Sequence, residues 1–380
     1  MIKFIDLNAQ QNLIREKIKK RINKVLDHGQ YILGPEINKL QNALSKFSKT
    51  KYVLCCSSGT DALLLSLLGL GLRPQEGVIL PSFTFASSAE VVPMLGGIPI
   101  FTDVDKNTYN LSPEKIIQSI YSARKHNIKL KGIMTVGLFG QPCDMNKIIN
   151  IAKEHKLWIL DDAAQSFGAH YNNIPVGNFG EVCATSFFPA KPLGCYGDGG
   201  ALLTNNKKIF DIAYSCHLHG MSKNKYKYER IGINGRMDSI QAAVLIEKLL
   251  IFKKELLERQ KIADNYKKHF KELNTKIILP KIVKEAKSSW AQFTIILPKK
   301  LNRNLLQEKL LKKGIPTAIY YPIPLHKQKP YKNYPIPSNG LKNTDFLSKN
   351  VISLPMHPYL TSKEIKYITL NVNNIIKQMN

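Results

Sequence analysis

Arginine is scarce in this 380-residue chain: eight of its 55 basic residues are arginine and the rest are lysine. Arginine is the better bidentate reader of phosphate, so a formal net charge of +27 does not by itself mark a nucleic-acid surface. The lysines are spread along helix-like stretches without interleaved aromatics. They read as a solvated basic surface, with an electrostatic aid to anionic substrates as the alternative. Long apolar runs are also missing. The longest, such as Ala62 to Gly71, stop well short of the roughly 18 residues that cross a bilayer. The opening Met-Ile-Lys-Phe-Ile-Asp-Leu lacks the apolar core and cleavage site of a secretory signal. Neither a membrane partner nor export is therefore expected, and the predicted location is cytoplasmic. Six cysteines, Cys55, Cys56, Cys143, Cys183, Cys195 and Cys216, form no Cys-x-x-Cys pair and no histidine spacing suited to a metal. Reduced, buried thiols are expected, with no metal site and no disulfide framework.

What the chain does contain is a rhythm. Short β-type runs at Tyr52–Cys56, Gly77–Leu80, Ile98–Thr102, Gly132–Val136, Leu157–Asp161, Cys183–Phe187 and Ala201–Thr204 are separated by stretches with helical spacing. Such alternation predicts an α/β domain with a largely parallel sheet covered by helices on both faces. Ligands in such sheets sit at the carboxyl ends of the strands. A helical pattern from about Asp238 to Lys271 then leads to a strand-like Trp290–Leu297 and a helix at Leu305–Lys313. These place a large domain over residues 1–250 and a smaller C-terminal α+β domain over 251–380. The proline-rich run Tyr320 to Tyr334 reads as an extended, rigid loop.

Three strand ends carry chemistry. At Cys56-Ser57-Ser58-Gly59-Thr60-Asp61 a strand passes into a helix through hydroxyls and a glycine. This suits an anion at the helix N-terminus, or a plain cap by Ser58 or Thr60. At Leu160-Asp161-Asp162-Ala163-Ala164-Gln165 an apolar strand ends in two carboxylates, which can face a ligand or cap the next helix. The third stretch, Thr185-Ser186-Phe187-Phe188-Pro189-Ala190-Lys191 followed by Gly194, Gly197, Gly199 and Gly200, sets one lysine between a strand and a glycine-dense turn. A partly buried lysine there has a lowered pKa and can form a Schiff base, while the glycines admit a cofactor close to the backbone.

Together with Gly29-Gln30-Tyr31-Ile32-Leu33-Gly34-Pro35, Asn234-Gly235-Arg236-Met237-Asp238-Ser239, Tyr321-Pro322-Ile323-Pro324-Leu325-His326 and Ser353-Leu354-Pro355-Met356-His357-Pro358, these stretches closely resemble the DegT/DnrJ/EryC1/StrS sugar aminotransferases. The likeness covers nearly the whole chain. It implies the fold type I of pyridoxal-phosphate (PLP) enzymes, aspartate aminotransferase-like, with a mostly parallel mixed sheet in the large domain. It implies that Lys191 bears the cofactor and moves the catalytic proton, and that Asp162 holds the pyridine nitrogen. Gln165 would lie against the ring or near its hydroxyl, with Phe85 either stacked on the other face or packed in the core. Thr60, the backbone N–H groups of Gly59 to Asp61, Ser186, and Asn234 from a second subunit would hold the phosphate. A homodimer with shared sites follows from that last role.

The resemblance further implies glutamate as amino donor and a nucleotide-linked keto-sugar as acceptor, with Arg236, Tyr320, Tyr321 and His326 on the sugar side; a structural salt bridge for Arg236 and a structural role in the proline-rich loop for His326 are the competing readings. The run Lys191-Pro192-Leu193-Gly194-Cys195-Tyr196-Gly197-Asp198-Gly199-Gly200 is most similar to the branch that aminates UDP-2-acetamido-2-deoxy-3-oxo-glucuronate for O-antigen. That branch carries His-Tyr-Pro where this chain has Tyr320-Tyr321-Pro322, which leaves a keto-6-deoxyhexose on UDP or dTDP, aminated at C3 or C4, as the alternative. PLP-dependent sugar dehydratases carry histidine in place of Lys191, so the lysine argues for transfer. The set Asp162, Gln165, Ser186, Lys191 and Asn234 argues against a non-catalytic regulatory relative.

Overall fold

The computed structural model describes residues 2–224, 226–299 and 301–379. Its central sheet consists of β1 (Tyr52–Cys56), β2 (Glu76–Pro81), β3 (Ile98–Thr102), β4 (Lys129–Val136), β5 (Trp158–Asp162), β6 (Val182–Ser186) and β7 (Gly200–Thr204). Their spatial order is β1-β7-β6-β5-β4-β2-β3. β7 runs antiparallel to both of its neighbours, and the other pairings are parallel. All seven predicted runs are strands of this one sheet.

The strands read as unbroken apolar runs because both of their faces are covered. Alternate residues enter alternate cores. Val53, Cys55, Ile79, Ile100, Ile133, Ile159, Cys183 and Leu203 point into one cluster, and Leu54, Val78, Leu80, Phe101, Met134, Leu160, Ala184 and Leu202 into the other. The first face is covered by helices that include Pro35–Ser48 through Leu40 and Leu44, and Pro113–Lys125 through Ile116 and Ile120. The second is covered by Gly59–Leu70, Ala86–Met94 and Lys207–Cys216. Cys55, Cys56, Cys143, Cys183, Cys195 and Cys216 are all free and buried. No helix among the described residues is long and apolar enough to cross a membrane.

Helix Ser239–Glu272 belongs to two cores. Ala242, Leu245 and Phe252 pack on the sheet, whereas Ile262, Ala263, Tyr266 and Phe270 pack in a third cluster. That cluster is closed by the antiparallel pair β8 (Phe293–Ile296) and β9 (Val351–Leu354) and by helices Arg303–Lys312 and Ser362–Met379. On this packing we propose the division of the chain near residue 250. The N-terminal segment crosses over to the second block: Ile2 N–H donates to the Gly314 carbonyl at 3.2 Å, and Met356 N–H to the Phe4 carbonyl at 3.2 Å.

The run Tyr320–Tyr334 departs from the extended loop expected of its prolines. It coils through a 3-10 turn at Leu325–Lys327 and a further turn in which Tyr331 N–H donates to the Gln328 carbonyl. Leu325 N–H donates to the Ser82 carbonyl at 3.0 Å, so the loop is sewn to the end of β2.

Candidate active site

Five strands, β1, β2, β4, β5 and β6, end at the same edge of the sheet, and a cavity of about 460 Å³ opens there. Each strand end delivers a side chain or a helix start to it, as open α/β sheets do at their carboxyl edge.

Lys191 lies on the turn after β6, held by its own N–H donating to the Phe188 carbonyl at 2.9 Å. Its amine lines the cavity with no hydrogen-bond or ion-pair partner among the described residues. Burial pushes its pKa below the ordinary lysine value, and the charge of Asp162 partly opposes this. Such a lysine holds more of its neutral, nucleophilic form near neutral pH than an exposed one.

Asp162 at the end of β5 is buried and faces the cavity. Its Oδ2 accepts from Ser88 Oγ at 2.7 Å and its Oδ1 from Ala164 N–H at 3.1 Å. Burial raises its pKa, against the pull of those two donors and of Lys191. A cationic N–H brought against it would draw that pKa down again. Asp161, one residue earlier, points to the other face of the sheet, as strand alternation requires. There it accepts from Thr135 Oγ1 at 2.7 Å, its Oδ2 has no partner, and burial pushes its pKa up to about 7. The folded state therefore binds a proton that an unfolded carboxyl releases near pH 4. The stability this adds is complete below about pH 4 and is lost as pH rises through about 7. Asp161→Asn keeps the acceptor for Thr135 and removes the titration. In urea unfolding at about pH 5 and about pH 8, wild type is expected to lose a few kcal/mol relative to the variant; parallel curves would show that Asp161 titrates normally.

At the end of β1, Ser58 caps helix Gly59–Leu70 by accepting from Asp61 N–H at 3.0 Å. The cap and the anion site coexist, because the N–H groups of Gly59 and Thr60 are left without partners at the positive end of the helix. The Asp61 N–H is taken by the cap and its carboxylate accepts from Ser57 Oγ, so Asp61 shapes this turn and does not line the cavity. Thr60 Oγ1 lies 2.9 Å from Ser87 Oγ, and Ser186 closes the other side. A side chain at position 59 would put its Cβ 2.5 Å from the Ser186 Cβ, so only glycine lets the helix start this close to β6.

Gln165 is fully engaged: its Oε1 accepts from Phe139 N–H at 2.8 Å and its Nε2 donates to Tyr321 Oη at 3.2 Å. Phe85 is 56% exposed, which excludes a core role, and its ring centre lies 6.2 Å from that of Tyr321. Tyr320 and Tyr321 both line the cavity, with burial raising both phenol pKa values.

The structure does not bring His326, Asn234 or Arg236 to this cavity. His326 contacts Ser82 Oγ through Nδ1 at 2.7 Å and Asp345 through Nε2 at 3.4 Å, so its ring anchors the loop and is not free for a sugar. Asn234 is exposed, and Arg236 is bridged to Cys56 through its backbone with its Nε buried and unpartnered. Sequence reading missed Ser87 and Ser88. They lie just past Phe85 and Ala86, and a pair of hydroxyls after a strand end is the same signal that marked Ser57 and Ser58. It also missed Ile5, Asp198 and Gln292, which line the cavity from other parts of the chain.

The pieces fit pyridoxal phosphate: an unpaired lysine for its aldehyde, a buried carboxylate for its ring nitrogen, and free N–H groups with hydroxyls for its phosphate. Fold and site together define a PLP-dependent aminotransferase. The chain belongs to the DegT/DnrJ/EryC1/StrS aminotransferase family, which it matches over residues 12–373. It is 41% identical to a UDP-2-acetamido-2-deoxy-3-oxo-D-glucuronate aminotransferase of Pseudomonas aeruginosa, over 98% of this chain and 100% of that one. It is 34% identical to a dTDP-3-amino-3,6-dideoxy-alpha-D-galactopyranose transaminase of Aneurinibacillus thermoaerophilus, over 98% and 99% of the two chains. A crystal structure of a DegT DnrJ EryC1 StrS aminotransferase from Brucella abortus superposes with a TM-score of 0.95 at 41% identity, covering 99% of each chain.

Proposed function

We propose that the protein moves an amino group from glutamate to C3 of a UDP-linked 3-oxo-N-acetylhexosamine uronate, a step toward cell-surface polysaccharide such as O-antigen. The observation that carries the transfer reading is Lys191, a partly buried amine left unpaired beside a buried carboxylate. The acceptor is read from likeness: the Pseudomonas and Aneurinibacillus relatives are both named for chemistry at carbon 3 of a nucleotide-linked sugar.

When bound, PLP supplies an electron-accepting ring that stabilises negative charge at the substrate carbon. Lys191 would bear it and, once displaced by an incoming amine, hold and move the proton at that carbon. Asp162 would keep the ring nitrogen charged, with Ser88 fixing the carboxylate. Gly59, Thr60 and Ser186 would grip the phosphate, while Gln165 and Phe85 would bound the ring. Tyr320 and Tyr321 would stand on the sugar side.

A homodimer completes the site in this reading. Lys191 is the one cation lining the cavity among the described residues, yet glutamate, a uronate and a pyrophosphate are all anions. Asn234 and Arg236 would supply the missing donors to the partner's cavity. Exposed Tyr31, Ile32 and Leu33 lie beside them, since Ile32 bridges to Asp238, and Ile231 is 93% exposed. An apolar patch of this kind suits a second copy. Mixing Lys191→Ala with Asn234→Ala subunits is expected to restore about a quarter of wild-type activity, because random pairing gives half heterodimers with one intact site each. No recovery would separate Asn234 from the partner's site. The buried free thiols fit a reducing, cytoplasmic compartment.

The acceptor is tested by running the reverse half-reaction with 2-oxoglutarate and a panel of amino-sugar nucleotides. UDP-linked 3-amino uronates should be turned over in preference to 3-amino and 4-amino 6-deoxyhexoses. Turnover of the deoxyhexoses alone would replace the uronate reading with the alternative.

A further inference from the structure

Two glutamines line the cavity, and they differ. Gln165 has both ends of its amide paired within the chain. Gln292, one residue before β8, has neither: its Oε1 is buried without a donor, and no partner for its Nε2 exists among the described residues. A buried acceptor without a donor costs free energy, and folded proteins rarely carry one without a reason. The surroundings hold the residue where it is. Trp290 Nε1 donates to Gln260 Oε1 at 2.8 Å, Arg259 Nη1 donates to the Trp290 carbonyl at 3.0 Å, and Gln292 N–H reaches the Phe139 carbonyl at 3.4 Å. Behind Gln292 is a void of about 10 Å³, at the lower limit of what holds one water molecule. Gln292 also lines the main cavity, where the substrate enters, and a half-turn of its amide about the last side-chain torsion brings Oε1 to that wall.

We propose that Gln292 is a specificity-determining residue whose Oε1 accepts a hydrogen bond from an N–H or O–H of the acceptor sugar, close to the carbon served by Lys191. An amide oxygen selects a neutral donor, such as a ring hydroxyl or an acetamido N–H. It cannot accept from a carboxylate or a pyrophosphate, which are acceptors themselves. The inference rests on the sugar-aminotransferase reading and adds the group by which the sugar is distinguished.

Transamination provides an internal control, because the glutamate half-reaction and the sugar half-reaction share one cofactor. Gln292→Met removes the amide at nearly constant volume. Its glutamate half-reaction and cofactor absorption should stay within about twofold of wild type, while kcat/KM for the sugar falls about 10- to 100-fold. The decisive comparison uses the parent sugar nucleotide and analogues that each lack one hydroxyl or the acetamido group. For one analogue, wild type should show a penalty of similar size, and Gln292→Met should use parent and analogue equally well. Gln292→Leu also removes the acceptor and should lose the same discrimination, which supplies the same comparison should Gln292→Met fail to load cofactor. If both variants discriminate every analogue as wild type does, the inference fails while the aminotransferase reading stands. If wild type turns over none of the sugars, both fall together.

Discussion

Lys191→Ala is expected to lose catalysis by at least about 10²- to 10⁴-fold and to leave nothing for borohydride to fix covalently. Wild-type protein treated in the same way should carry the reduced cofactor on Lys191 and on no other of its 47 lysines. The selectivity follows from the surroundings. A lysine in water is overwhelmingly protonated near neutrality, whereas burial lowers the pKa of Lys191. The sign is testable: capture of PLP by the apoprotein should set in at lower pH than its reaction with exposed lysine, because the neutral amine appears earlier as pH rises. Peptide mapping by mass spectrometry after reduction reads the site directly. Cofactor retained covalently by Lys191→Ala, with activity intact, would overturn the assignment.

The second large effect concerns Asp162. Asp162→Asn keeps one oxygen to accept from Ala164 N–H and turns an NH2 toward Ser88 Oγ, which can accept in place of donating, so the cavity should persist and bind cofactor. The charge is lost, and with it the means of keeping a ring nitrogen protonated. We expect kcat to fall about 100-fold or more in both half-reactions, as removal of a preorganised electrostatic partner does elsewhere. The KM values for glutamate and for the sugar should change far less, since Asp162 lies on the cofactor side. A fall in only one half-reaction would place the residue on a substrate instead. Ser88→Ala tests the support: its Oγ donates to Asp162 at 2.7 Å, so its loss should produce a smaller defect of the same kind.

The sheet was legible because each strand is apolar on both faces and bounded by polar or glycine residues. Leu157–Asp161, for instance, was placed one residue from the observed Trp158–Asp162. The choice between Asp161 and Asp162 came from resemblance, and strand alternation gives it a physical basis: one residue of shift exchanges the cavity for the core. Gln292 could not be found this way. Its residue type and its place in a strand-like run signal nothing until the fold brings that run to the cavity that Lys191 also lines. For His326 the sequence left two readings open, contact with the sugar or a structural role in the loop, because Ser82 and Asp345, which take up its ring, are distant in sequence. Asn234 and Arg236 were flagged by resemblance alone, and in the single chain Asn234 is exposed while Arg236 is half-buried away from the cavity.

Helix Ser239–Glu272 has a consequence for folding. Its 34 residues make a rod of about 51 Å, with one end completing the sheet's core and the other completing the core around β8 and β9. Neither hydrophobic cluster can close while that rod is melted, so the two blocks are coupled in stability. A cut near the middle of the helix would leave two fragments that each lack a wall. The two blocks, different as they are in architecture, are therefore expected to unfold in one transition.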